Sequence, residues 1–116
     1  LSLNDDKAAY LSFSAAARGI LILAGNTASA KGGIVHFRCG DGSNHATVMA
    51  SSGSNFTGTT GTLAGTTGTD THVTVAADSA TNRIYVENRT GGTRGYTITV
   101  LGVPGDVLFT GVTNLA

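Results

Sequence analysis

The chain predicts an all-β fold: a single antiparallel β-sandwich, jelly-roll-like, of about seven or eight short strands. Three observations carry this. Apolar residues alternate with polar ones in short segments rather than recurring at helical spacing. Clusters of Gly, Asn, Asp and Ser separate those segments at the intervals typical of sandwiches and barrels. Seventeen glycines, one proline and abundant Thr and Ser favour turns and strands over helices.

In chain order, Ala8–Ser14 (AAYLSFS) alternates loosely, and Gly19–Leu23 begins the continuous apolar run GILILAG. Ala15–Arg18 (AAAR) is the one helical competitor, and four residues cannot sustain a helix. Ile34–Arg38 sets Ile34, His36 and Arg38 against Val35 and Phe37, a strand with one buried face. Thr47–Met49 is a shorter candidate. His72–Ala76 places Val73 and Val75 on one face, and Arg83–Glu87 places Ile84 and Val86 against Arg83, Tyr85 and Glu87. Tyr96–Leu101 sets Tyr96, Ile98 and Val100 against Thr97, Thr99 and Leu101. Gly91-Gly92 between the last two segments supplies turn chemistry with positive φ, which predicts a hairpin. After Pro104 the apolar residues Val107, Leu108, Phe109, Val112 and Leu115 predict a last edge strand or a docking tail over 103–116.

Composition narrows the function. At 116 residues there is room for one core, so 1–116 reads as one domain. Seven basic residues balance seven acidic ones, which leaves no electrostatic footprint for nucleic acid or an anionic membrane surface. The longest apolar run falls far short of the roughly 20 residues that span a bilayer, so no membrane insertion is expected. Hydrophobicity of 41% with zero net charge argues against disorder. The single cysteine, Cys39, cannot staple the fold and fits a reducing compartment. The first residue is Leu rather than Met, which predicts a processed, trimmed or partial product.

Catalytic and metal-binding patterns are thin. His36, Cys39 and His45 lie near one another in sequence, but on a strand the odd offset sends His36 and Cys39 to opposite faces. His36 is therefore expected to face outward and Cys39 to fill the core. Asp41-Gly42-Ser43-Asn44 and Asn4-Asp5-Asp6 offer oxygen ligands, yet lack a full calcium-loop pattern and make good turns. No nucleophile elbow or P-loop is present. The acidic residues other than Glu87 fall in predicted loops or strand ends. The chain is expected to be non-enzymatic, with no cofactor and no metal. Asn55-Phe56-Thr57 and Asn88-Arg89-Thr90 match the glycosylation sequon, which is near chance in so Asn/Thr-rich a chain.

The pentapeptide GTTGT occurs twice, at Gly58–Thr62 and Gly65–Thr69. A stacked fibrous repeat needs at least three units, and neither flank is long enough to make this a linker between domains. The stretch is expected to be a long loop or weak edge hairpin leading into His72–Ala76. Its hydroxyls at Thr59, Thr60, Thr66 and Thr67, with Tyr85 on an outer strand face, form the candidate surface-binding set. Val107, Leu108, Phe109, Val112 and Leu115 form the candidate interface.

The run Asp70–Gly102, with the GTTGTDTHVTV lead-in, the IYVENRTG strand and turn and the YTITVLG strand, resembles small β-sandwich modules of tailed-bacteriophage virion proteins. Such modules occur in head fibres, capsid decorations and tail fibres or spikes. LNDDKAAYLSF followed by GILILAG is similar to their opening strands. The resemblance implies a structural virion component assembled in the host cytoplasm, commonly a homotrimer. It would dock on capsid or tail proteins or contact a host surface. The alternative is a carbohydrate- or receptor-binding module at that surface, which for stacking on sugars would need exposed aromatic rings. With no Trp and 6% aromatic residues, such a platform is sparse.

Overall fold

The computed structural model describes residues 1–115. They form ten strands and no helix: β1 (Ser2–Leu3), β2 (Lys7–Phe13), β3 (Ala17–Gly25), β4 (Gly33–Cys39), β5 (His45–Ser51), β6 (Phe56–Thr60), β7 (Val73–Ala77), β8 (Arg83–Asn88), β9 (Arg94–Leu101) and β10 (Phe109–Asn114). Two five-stranded sheets, ordered β1-β9-β3-β4-β5 and β10-β2-β8-β7-β6, pack as one sandwich. We call them the β3 sheet and the β8 sheet.

The core follows from side-chain alternation. In β4, Val35, Phe37 and Cys39 point inward and are fully buried, while Ile34 and His36 face out. The GILIL run resolves the same way: Leu21 and Leu23 enter the core, and Ile20 and Ile22 stay half-buried on the outer face. Leu11, Val75, Ile84 and Val86 meet them from the β8 sheet. Each such aliphatic side chain contributes about 1.5–3 kcal/mol when buried. Without tryptophan, the bulk comes from Tyr96 and from Phe13 and Phe37, whose rings stack with centroids 5.5 Å apart.

Arg83–Glu87 and Tyr96–Leu101 do not form the expected hairpin. β8 pairs with β2 and β7, whereas β9 pairs with β1 and β3 in the opposite sheet. Both segments carry an apolar inner row, and those rows bury against each other across the sandwich better than side by side. Asn88, fully buried, fixes the crossing. Its Nδ2 donates to the carbonyls of Leu3 (2.9 Å), Asn4 (3.3 Å) and Gly92 (2.7 Å), and its Oδ1 accepts from the Thr90 amide and hydroxyl. Of the two glycines in that turn, only Gly91 takes a positive φ.

Two strands beyond the expected set, β1 and β6, appear because neighbours supply their hydrogen bonds. The apolar tail is a true edge strand: β10 runs antiparallel to β2, with a register irregularity between Phe109 and Gly111. One pairing departs from an all-antiparallel sandwich. β6 lies parallel to β7, in register from Phe56↔Val73 to Thr60↔Ala77.

Candidate functional site

Parallel neighbours cannot be joined by a tight turn; they need a crossover of a dozen or more residues. Residues 61–72 supply it between β6 and β7. The two GTTGT copies therefore have different fates. The first begins within β6, and the second lies wholly in the crossover. Of the two expectations for this stretch, residues 61–72 form the long loop, and the weak edge hairpin does not form because β6 and β7 run parallel.

Leu63 is the only large apolar side chain in the repeat, and it acts as a peg. It is 2% exposed and packs with Ala8, Ala76 and Tyr85 on the outer face of the β8 sheet. Tyr10 lies against Tyr85 with ring centroids 5.6 Å apart, and the Arg83 guanidinium sits 4.1 Å over the Tyr10 ring. Tyr85 does sit on the outer side of β8, but the crossover covers it, so it is not the exposed aromatic platform expected.

Beyond the peg, a charged latch holds the crossover. Glu87 is fully buried. Its Oε2 accepts the backbone N–H groups of Gly65 (2.8 Å) and Thr67 (3.0 Å), and its Oε1 accepts that of Gly68 (2.6 Å). Three backbone donors replace the water that the carboxylate loses. Two residues on, and so on the same side of the chain, Arg89 Nη1 donates to the Gly68 carbonyl at 2.7 Å. Its Nε pairs with Asp6 at 2.9 Å, and that carboxylate, with Asp70 adding to it, holds the guanidinium pKa above its usual value.

The glycines of the second repeat are dictated by this latch. A Cβ on Gly68 would stand 2.6 Å from both Glu87 Oε1 and Thr74 Oγ1. Gly65 has φ +120°, and a Cβ there would stand 2.5 Å from the Asp6 carbonyl oxygen. IYVENRTG thus serves the architecture three times over, through Glu87, Asn88 and Arg89.

Between β6, β7 and the crossover lies a cavity of about 250 Å³, and seven of its nine lining residues are threonines. Leu63 and Gly68 complete the wall. Thr59 and Thr60 are exposed here, as is Thr67, whose hydroxyl accepts the Ala64 amide at 3.0 Å. Thr57 shares a 2.6 Å hydrogen bond with His72 Nδ1. Thr74 is 2% exposed, and its buried hydroxyl has no hydrogen-bond partner. Thr66 is exposed on the crossover but does not line the cavity. Of the expected surface-binding set, Thr59, Thr60 and Thr67 therefore come together, while Tyr85 and Thr66 stand apart. Thr57 and Thr74 were missed because nothing in the sequence shows that β6 and β7 are neighbours.

The candidate interface divides similarly. Leu108, Phe109, Val112 and Leu115 are exposed at 65%, 44%, 43% and 42%. Val107 instead packs against the core. Beside them, a groove of about 550 Å³ runs between β10 and the edge of the β3 sheet, lined by Tyr96, Ile98, Phe109 and Val112 among others.

Elsewhere the chemistry is local. His36 and His45 face outward from β4 and β5 with rings stacked 4.8 Å apart and Nδ1 to Nε2 at 2.7 Å. Cys39 lies in the core on the opposite face, where burial raises its pKa. Asp41 bonds Arg38 at 2.7 Å, which holds its carboxyl below the usual range, and it also accepts the Ser43 amide as a turn residue does. Asn4, Asp5 and Asp6 bond Thr93, Gly91 and Arg89, pinning the turns around the sheet crossing. Among the described residues, no three His, Cys, Asp or Glu side chains could share a metal ion. Asn88 of the second sequon is inaccessible in the folded chain, while Asn55 is exposed. Compared with protein families, curated proteins and solved structures, the chain finds no match.

Proposed function

We propose that this protein is a non-enzymatic structural module of a tailed-phage virion appendage. It would work by packing against copies of itself and against neighbouring virion proteins. One observation carries the reading: the edge strand β10 exposes Phe109 and Val112, and the residues flanking it expose Leu108 and Leu115, beside a largely apolar groove. Edge strands of monomeric proteins are normally blunted by charge, proline or a covering element. Residues 107–115 (VLFTGVTNL) contain no charged residue and no proline. Zero net charge removes the long-range repulsion that would keep copies apart. The virion setting rests on the resemblance carried by IYVENRTG and YTITVLG, whose residues serve folding rather than chemistry.

Light scattering coupled to size exclusion tests the reading, with a homotrimer as the expected species. Val112→Lys combined with Leu108→Lys, both at exposed positions, should shift the protein towards monomer while circular dichroism stays unchanged. Deleting residues 105–116 should weaken assembly more than it weakens secondary structure. A wild-type protein that is monomeric, and remains so when mixed with phage particles, would overturn the proposal.

A further inference from the structure

We infer that the threonine-lined cavity under the 61–72 crossover is a binding subsite for a small, neutral, polyhydroxylated ligand of about one sugar ring. This does not depend on the packing reading, since β10 and its groove share no lining residue with the cavity.

Three observations converge. The lining is chemically uniform: seven threonines, one leucine and one glycine, with no ionisable side chain among them. The nearest buried charge, Glu87, is committed to the backbone of the crossover and so does not select a cation. A charged ligand would lose hydration there without gaining a partner of opposite sign. A neutral ligand bearing hydroxyls fits, because each threonine hydroxyl can rotate to donate or to accept.

The second observation is Thr74. Buried hydroxyls are almost always paired, yet this one, 2% exposed and on the cavity wall, has no partner. The oxygen itself is closed to solvent, so a ligand hydroxyl would satisfy it once the threonine side chain rotates towards the cavity. The third is that the wall is built rather than loose. Leu63 and the Glu87 latch hold the crossover, and the Thr57–His72 bond ties β6 to the residue that leads into β7. A pre-formed wall spares the ligand the entropy of ordering a loop. The volume, about 250 Å³, lies below the range for drug-sized ligands and limits the occupant to a single small ring or the terminal unit of a glycan.

Protein-detected NMR titration with glucose, galactose, mannose and N-acetylglucosamine tests this, with glucuronate and glucosamine as charged counterparts. Saturable shifts confined to residues 57–74, in the millimolar range and for at least one neutral sugar, are expected. Thr74→Val, which keeps shape and removes the hydroxyl, should weaken binding roughly tenfold, about what one well-made hydrogen bond carries. Thr74→Ser, which restores the hydroxyl, should recover most of it. Circular dichroism of both variants checks that the sandwich is intact. Absence of saturable binding by any neutral sugar overturns the inference. So does equal binding by Thr74→Val, or tighter binding of the charged counterparts. A glycan array run in parallel separates sources: signal there that survives Thr74→Val places glycan binding elsewhere on the chain and removes the cavity from it.

Discussion

The outer faces of the two sheets make an instructive pair. The β8 sheet is roofed by the chain's own crossover, so every residue of β7 is buried and all but the first of β8. Among the described residues, nothing roofs the β3 sheet in this way. Its outer face presents Ile20 and Ile22 half-buried, Ile34 at 37% and Leu101 at 50% exposure. Hydrophobicity alone would have placed the cover on the isoleucines. The cover instead lies over Thr74, Ala76, Tyr85 and Glu87, because there a buried carboxylate meets three backbone donors of a glycine-rich segment. A directional interaction decides which face is closed, and the apolar face is left available to neighbours.

The sharpest way to break this contrast is Glu87→Ala. It strands three backbone donors, one buried and two partly buried, and a loss of about 3 kcal/mol is expected in chemical denaturation. Hydrogen exchange at Gly65, Thr67 and Gly68 should accelerate along with it. Persistent protection of those amides would show that the latch is not what holds the roof. Leu63→Ala removes the peg and should cost about 2 kcal/mol, the low end for a buried leucine because the crossover can settle inward. If the two losses simply add in the double variant, peg and latch act independently; coupling would make the roof one cooperative unit.

A smaller change in the opposite direction is expected at Thr71. This β-branched residue is held at φ 72° at the end of the crossover. Thr71→Gly should stabilise the protein by about 1 kcal/mol by releasing that strain. On the open face, Ile34→Thr should alter the stability of the isolated subunit by under about 0.5 kcal/mol. A large loss that depends on protein concentration would mean that a second copy covers the β3 sheet.

The smallest effect at neutral pH belongs to Tyr96, on the inner side of the β3 sheet. Burial pushes its phenol up to about 12 from an ordinary value of 10.0. The folded state thus favours the protonated phenol. Its contribution is fully present below pH 10 and is lost as pH rises from 10 towards 12. A pH-dependent denaturation series should show that decline in the wild type and a flatter profile for Tyr96→Phe.

Much of the fold was legible in local pattern. The alternation of Val35 and Phe37 with Ile34 and His36, and of Ile84 and Val86 with Tyr85 and Glu87, correctly sorted the inner faces. Partner choice was not legible. Gly91-Gly92 is good turn chemistry, but whether the chain turns back beside β8 or crosses to the other sheet depends on Asn88 finding the carbonyls of Leu3 and Asn4, more than eighty residues away. An edge strand at FTGTT was one of two expectations for that stretch, but its parallel pairing was not legible, because only β7 offers it a ladder. The candidate cavity was half visible: its exposed threonines stood out in the repeat, while Thr74 looked like one more outer residue of a strand.

By itself, the sequence determined the class of fold, the inward rows of each strand and the apolar, uncharged character of residues 107–115. These are properties of alternation and composition, which are local. Only the tertiary structure decided that the repeated GTTGT segment is a latched roof with a hydroxyl-lined cavity beneath it. That outcome depends on Glu87 meeting amides about twenty residues away, and a carboxylate carries no mark in sequence of which donors will enclose it.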